Sequence, residues 1–195
     1  MLPEQFIIIG VLANLLGSLW YFKKIISGQT KPNLVSWFIW MLGPFLGVFF
    51  MLKAGAGFSF LGTLMAGITS FLVVVIALIL KNSYWKINTF DIICGIIALI
   101  SLMLYVFLHN LSISILFAII ADGLAYIPTI IKSWKFPETE SSSTYIGGVI
   151  NNIIALLIIQ NWIFPIYSFS VAIVILNLAI IFSIYRKKIF RKKLA

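Results

Sequence analysis

Seven apolar stretches, each about 18 to 25 residues long, follow one another along this chain with almost no charge inside them. Each is long enough to cross roughly 30 Å of hydrocarbon as an α-helix, the open-chain structure that satisfies its own backbone hydrogen bonds in lipid. Water is a poor solvent for such a surface: 62% of the 195 residues are hydrophobic and 10% are charged, against about half and about a quarter in a soluble domain. The fold class expected is all-α, integral membrane, with helices at about 5–22, 34–52, 57–80, 90–108, 111–131, 144–162 and 164–185. The first stretch carries Glu4 and lacks a basic lead-in, so it reads as a retained helix rather than a cleavable signal peptide.

The basic residues set the orientation. Thirteen of fourteen fall after helices one, three, five and seven, as Lys23, Lys24 and Lys31, Lys81 and Lys86, Lys132 and Lys135, and the six of 186–193. Lys53 alone falls on the other side. The positive-inside rule then puts the N-terminus outside and the C-terminus in the cytoplasm, consistent with seven crossings. The basic tail after Tyr185 reads either as a topology anchor or as a patch for anionic lipids. The formal charge of +9 lies in short loops and this tail, not on a folded basic face, so nucleic acid is not expected as a partner.

Sliding the chain against itself by 108 positions superposes helix one on helix five: Ala13 on Ala121, Asn14 on Asp122, Gly17 on Ala125 and Lys24 on Lys132. Helix two falls on helix six with Ser36 on Thr144, Trp37 on Tyr145 and Gly47 on Ala155, and Ser70 comes near Asn177. A repeat of three helices returns to the same orientation only if one helix intervenes. The expected organisation is therefore a first repeat over 1–80, a linker helix over 81–110, a second repeat over 111–185 and a basic tail over 186–195. In such a 3+1+3 parallel-repeat arrangement a binding site belongs near midplane between the halves.

Within this frame, Ala125-Tyr126-Ile127-Pro128-Thr129-Ile130-Ile131-Lys132-Ser133, followed by Glu140-Ser141-Ser142-Ser143-Thr144-Tyr145, resembles a PQ-loop repeat. In the first copy Trp20-Tyr21 stand at the Pro-Gln position, and Lys31-Pro32-Asn33-Leu34-Val35-Ser36-Trp37 lead into the next helix. Thr129 stands where the family has glutamine, so neither copy matches in full. Together with the helix order, the chain resembles the SWEET and PQ-loop superfamily over nearly its whole length. The resemblance implies passage of a small solute such as a sugar, amino acid or vitamin, passive or proton-linked, between two three-helix bundles. Some relatives of this fold are receptors, so a non-transporting receptor or assembly factor is the alternative.

The candidate pathway residues are polar or aromatic groups inside the spans. Asp122 is the only acid deep in a helix, where a charge costs at least a few kcal/mol. It is a candidate to carry a proton with substrate or to bind a polar solute, the opposing reading being a neutral acid that locks two helices. Asn14, its repeat mate, carries the same two readings. Asn151 and Asn152 in helix six and Asn177 in helix seven add amide groups, at least one of which should line a cavity. Trp37 and Trp40 share a helix face, available either for stacking on a solute or for an interfacial aromatic belt. Tyr126 and Tyr145 are weaker candidates of the same kind. Pro44 and Pro128 interrupt helical hydrogen bonding and are either hinges or static kinks.

An enzyme is not expected. The single histidine, His109, stands at an outer boundary beside Asn110, and no thiol, second acid or metal-ligand cluster assembles around it. Cys94 is the only cysteine, which leaves no disulfide within one chain. No cofactor or metal is expected; the expected partners are a small solute, the lipid bilayer and, where transport is coupled, protons. The expected location is a bacterial inner membrane or an equivalent cell membrane, with several passes.

Overall fold

The computed structural model describes residues 2–81, 84–108 and 110–191. His109, together with Lys192 and Lys193 of the basic tail, lies outside the described residues. The described chain is all-α: α1 Ile7–Ile26, α2 Leu34–Lys53, α3 Phe60–Ile79, α4 Thr89–Phe107, α5 Leu111–Lys135, α6 Ser143–Leu157 and α7 Phe164–Arg191, with no strand among the described residues. Five of these, α1, α2, α3, α5 and α7, are long and apolar enough to cross a membrane.

The helices are inverted relative to a water-soluble bundle. In α1 the outward residues are Ile8, Ile9, Leu12, Leu16 and Leu19, whereas Gly10, Asn14, Ser18 and Tyr21 are buried. Large apolar side chains are exposed on all seven helices, far more apolar surface than a soluble monomer shows to water. With lipid outside and no hydrophobic drive between helices, the interior is free to collect small and polar groups.

Local chemistry sets the helix starts. Asn33 Oδ1 accepts from the Val35 and Ser36 amides at α2, and Asn110 Oδ1 accepts from Ile113 at α5. Asn88 and Asp91 form a reciprocal capping box at α4. After α2 the chain reverses through Gly55 at φ +77° and Gly57 at φ +53°, left-handed conformations that a Cβ disfavours.

Four helix ends depart from expectation by four residues or more. Expected ends at about 22, 131 and 185 become Ile26, Lys135 and Arg191. Hydropathy marks where hydrocarbon stops, whereas a helix continues into the polar interface when basic residues such as Lys23, Lys24, Lys132 and Lys135 favour its negative end. Conversely α6, expected to reach 162, ends at Leu157. Its last carbonyls find other donors: the Leu2 amide bonds Leu157 at 3.0 Å and Gln160 Nε2 bonds Ile158 at 3.2 Å. Fifteen residues span only about 22 Å, and α4 has a similarly short apolar run, Thr89–Leu104.

α3 packs against both α1 and α2, α7 packs against both α5 and α6, and the longest interface joins α1 to α6. α2 meets α5, and α4 lies against α5 and α2. Glycines permit the α1–α6 approach. A Cβ on Gly147 would stand 2.7 Å from the Ala13 carbonyl oxygen, and one on Gly17 would strike the Ser143 carbonyl.

Candidate functional site

Where α1, α2, α3, α5, α6 and α7 converge they enclose a cavity with about 50 Å³ of room for the centres of water molecules. One water needs about 10–15 Å³ of such space, so this conformation holds a few waters and excludes a sugar ring. Residues 108 apart line it in pairs: Asn14 with Asp122, Trp37 with Tyr145, Trp40 with Gly148 and Pro44 with Asn152. Two further pairs, Ala66 with Ile173 and Ser70 with Asn177, are 107 apart. Tyr126 and Thr144 complete the lining.

Aromatic rings form one wall. Trp40 lies 4.3 Å from Tyr126, centroid to centroid, and 5.1 Å from Trp37, which in turn lies 6.2 Å from Tyr145. Trp37 is only 3% exposed, so it is an inward residue and takes no part in an interfacial belt. Several polar groups are tied to neighbours. Tyr126 donates its hydroxyl hydrogen to Asn177 Oδ1 at 2.8 Å, and Asn14 Oδ1 accepts from Thr69 at 3.0 Å and from Ser18 at 3.3 Å. Asn152 Nδ2 donates to the Gly148 carbonyl at 2.9 Å.

Others remain unsatisfied. Among the described residues, the indole nitrogens of Trp37 and Trp40, Asp122 Oδ1 and Asn152 Oδ1 are buried without a hydrogen-bond partner. A buried polar atom left in that state costs about 1–3 kcal/mol. With the Tyr145 hydroxyl, also unpartnered, five side chains that line this one cavity carry such an atom, which suits the lining to polar guests, water or solute.

Of the expected site residues, Asp122, Asn14, Asn152, Asn177, Trp37, Trp40 and Tyr126 all reach the cavity, and so does Pro44. Asn151 does not: its Nδ2 donates to the Gly62 carbonyl at 2.9 Å and ties α6 to α3. Pro128 lies farther along α5, in a separate cleft with Trp85 and Lys132.

Between the cavity and the helix ends that carry most of the basic residues stands a second cluster. Lys132 Nζ and Glu140 Oε2 form an ion pair at 2.6 Å with side chains 2% and 0% exposed. The Tyr21 hydroxyl donates to Glu140 Oε1 at 2.6 Å, the Ser141 amide donates to the same oxygen at 3.2 Å, and Lys132 also donates to the Lys31 carbonyl. Tyr145 stands beside Tyr21 at 6.2 Å, so aromatic rings fill the space between ion pair and cavity. Tyr21 comes from α1 and Lys31 from the α1–α2 connection, whereas Lys132 and Glu140 belong to α5 and the α5–α6 connection. The cluster therefore bridges the two parts of the chain. A second bridge, from Thr129 Oγ1 to Ser36 Oγ at 2.9 Å, runs from α5 to α2.

Glu140 was not among the expected site residues. The one signal for it is its spacing eight residues after Lys132 in a chain with five acids. Comparisons with protein-family models, with curated proteins and with solved structures gave no match, so the functional reading rests on the geometry and chemistry of the cavity and of the ion-pair cluster beside it.

Proposed function

We propose that the chain is a multi-pass transporter of the cell inner membrane, akin to the SWEET and PQ-loop superfamily. It moves a small polar solute such as a sugar, amino acid or vitamin between two three-helix bundles, as a facilitator or with protons. In this reading all seven helices cross, the N-terminus is outside, the C-terminus is cytoplasmic, and α4 links the halves. The observation that carries it is the cavity: six pairs of residues offset by 107 or 108 surround it, and five of its lining side chains carry an unpartnered polar atom.

Helix packing supports the same reading. Exchanging α1, α2 and α3 for α5, α6 and α7 turns the α1–α3 and α2–α3 contacts into α5–α7 and α6–α7, and the α1–α6 contact into α2–α5, all of which occur. That exchange supports two repeats, which in this reading are parallel and related by an axis along the membrane normal. A cavity too small for a sugar, with a buried ion pair tying the halves together beside it, fits a resting conformation between transport steps. The halves then separate around the site, with Pro44 in the cavity wall and Pro128 near Lys132 as the places where helical hydrogen bonding is already broken.

The test is flux into liposomes holding the purified protein, run with sugars, amino acids, nucleosides, vitamins and amines. Transport predicts saturable entry of at least one solute, lost in Asp122→Asn or Asn14→Leu variants that still fold. A solute that raises the melting temperature but never crosses would overturn transport in favour of a receptor.

A further inference from the structure

The cavity's charge selects among solutes. Its lining holds one carboxylate, Asp122, and among the described residues no lysine, arginine or histidine. Lys132, on the same helix, is held by Glu140 and the Lys31 carbonyl. An anionic solute would find no cation in this lining to balance it, and a charge buried without a partner is costly. A cationic solute would instead supply the counter-charge that Asp122 lacks.

The unsatisfied atoms specify more. Among the lining side chains with an unpartnered atom, Asp122 and Asn152 offer acceptor oxygens, Trp37 and Trp40 offer indole N–H donors, and the Tyr145 hydroxyl can do either. The indoles also offer ring faces, which attract cations. Building on the reading of this cavity as the solute site, we infer that it takes a small organic ammonium ion that also carries a hydrogen-bond acceptor, an amino alcohol being the simplest form. The ammonium donates to Asp122 and Asn152, and the oxygen accepts from the indoles. The ligand thereby satisfies both kinds of orphaned group. A neutral diol of the same length fills the same space but makes no charge-assisted hydrogen bond, and a hydroxy acid presents the wrong sign.

Ethanolamine, ethylene glycol and glycolate share a two-carbon skeleton and differ in charge, so binding of the three to the purified full-length protein isolates this term. The expected result is that ethanolamine raises the melting temperature and binds at least about ten-fold more tightly than ethylene glycol, the lower bound for a hydrogen bond to a charged group, while glycolate gives no shift. Asp122→Asn should erase that preference, and Trp40→Phe, which keeps a ring and loses the N–H, should weaken ethanolamine binding. Equal binding of glycol or glycolate, no binding of ethanolamine to the folded protein, or an undiminished preference in folded Asp122→Asn would overturn the inference. Should Asp122→Asn fail to fold, the three-ligand comparison on the unmodified protein decides by itself. Ethanolamine bound but not carried across liposomes would refute transport and leave this inference standing. Sugar flux without ammonium binding would do the reverse.

Discussion

Replacing Glu140 with glutamine isolates the charge of the buried lock. Glutamine keeps the shape and retains an oxygen for the Tyr21 hydroxyl and the Ser141 amide, which bond Glu140 Oε1 at 2.6 and 3.2 Å. It leaves the Lys132 ammonium, 2% exposed, facing an amide and the Lys31 carbonyl. The roughly 0–1 kcal/mol scale of exposed ion pairs does not apply to such a burial. Removing one partner of a buried pair costs about 3–5 kcal/mol, because the survivor is charged, desolvated and unbalanced. Denaturant unfolding in detergent micelles reads this cost for Glu140→Gln, for Lys132→Met and for the double variant. The double variant should lose less than the sum of the single ones by about 1–3 kcal/mol, since it strands no charge. A Glu140→Gln cost below about 1 kcal/mol, or additivity within about 0.5 kcal/mol, would refute a desolvated lock.

Gly147→Val should weaken the α1–α6 seam by at least about 1–3 kcal/mol, the usual cost of overpacking, because even a Cβ there stands 2.7 Å from the Ala13 carbonyl oxygen; an unchanged melting temperature would disprove the close approach. Epitope tags at residue 1 and residue 195 should report opposite sides of the membrane in intact cells, and tags on one side would remove the seven-crossing topology.

The helices were legible because lipid imposes length on apolar runs. A run of apolar residues followed by lysines needs no tertiary contact to be read. The pairing of Asn14 with Asp122 was legible for a different reason: a constant register carries corresponding side chains to corresponding places, and polar residues in apolar helices stand out. What stayed hidden depends on direction or on return of the chain. Asn151 and Asn152 are adjacent and point about 100° apart on a helix; one meets the Gly62 carbonyl and the other the cavity. No period within a helix apolar on most sides distinguishes them. Trp37 sits one turn into α2, a depth that suits an interfacial belt as well as a core, and only its neighbours Tyr21 and Tyr145 decide. Glu140 belongs to a connection, where hydropathy expects solvent, yet it folds back under α5 to meet a lysine eight residues behind it. Helix ends were displaced for a like reason, since caps such as the Leu2 amide on Leu157 come from far away in sequence.

Whether the cavity is a passage or a sealed core is decided by access from each side. Cys94 is the single native cysteine and is buried, so a Cys94→Ala chain carrying Ser70→Cys reports from the cavity wall alone. Transport by alternate opening predicts that a membrane-impermeant thiol reagent modifies position 70 from the outer face of intact cells and, separately, from the cytoplasmic face of inverted vesicles. Protection from both sides in a folded, correctly inserted protein would contradict a solute path and make the cavity a structural feature of the bundle.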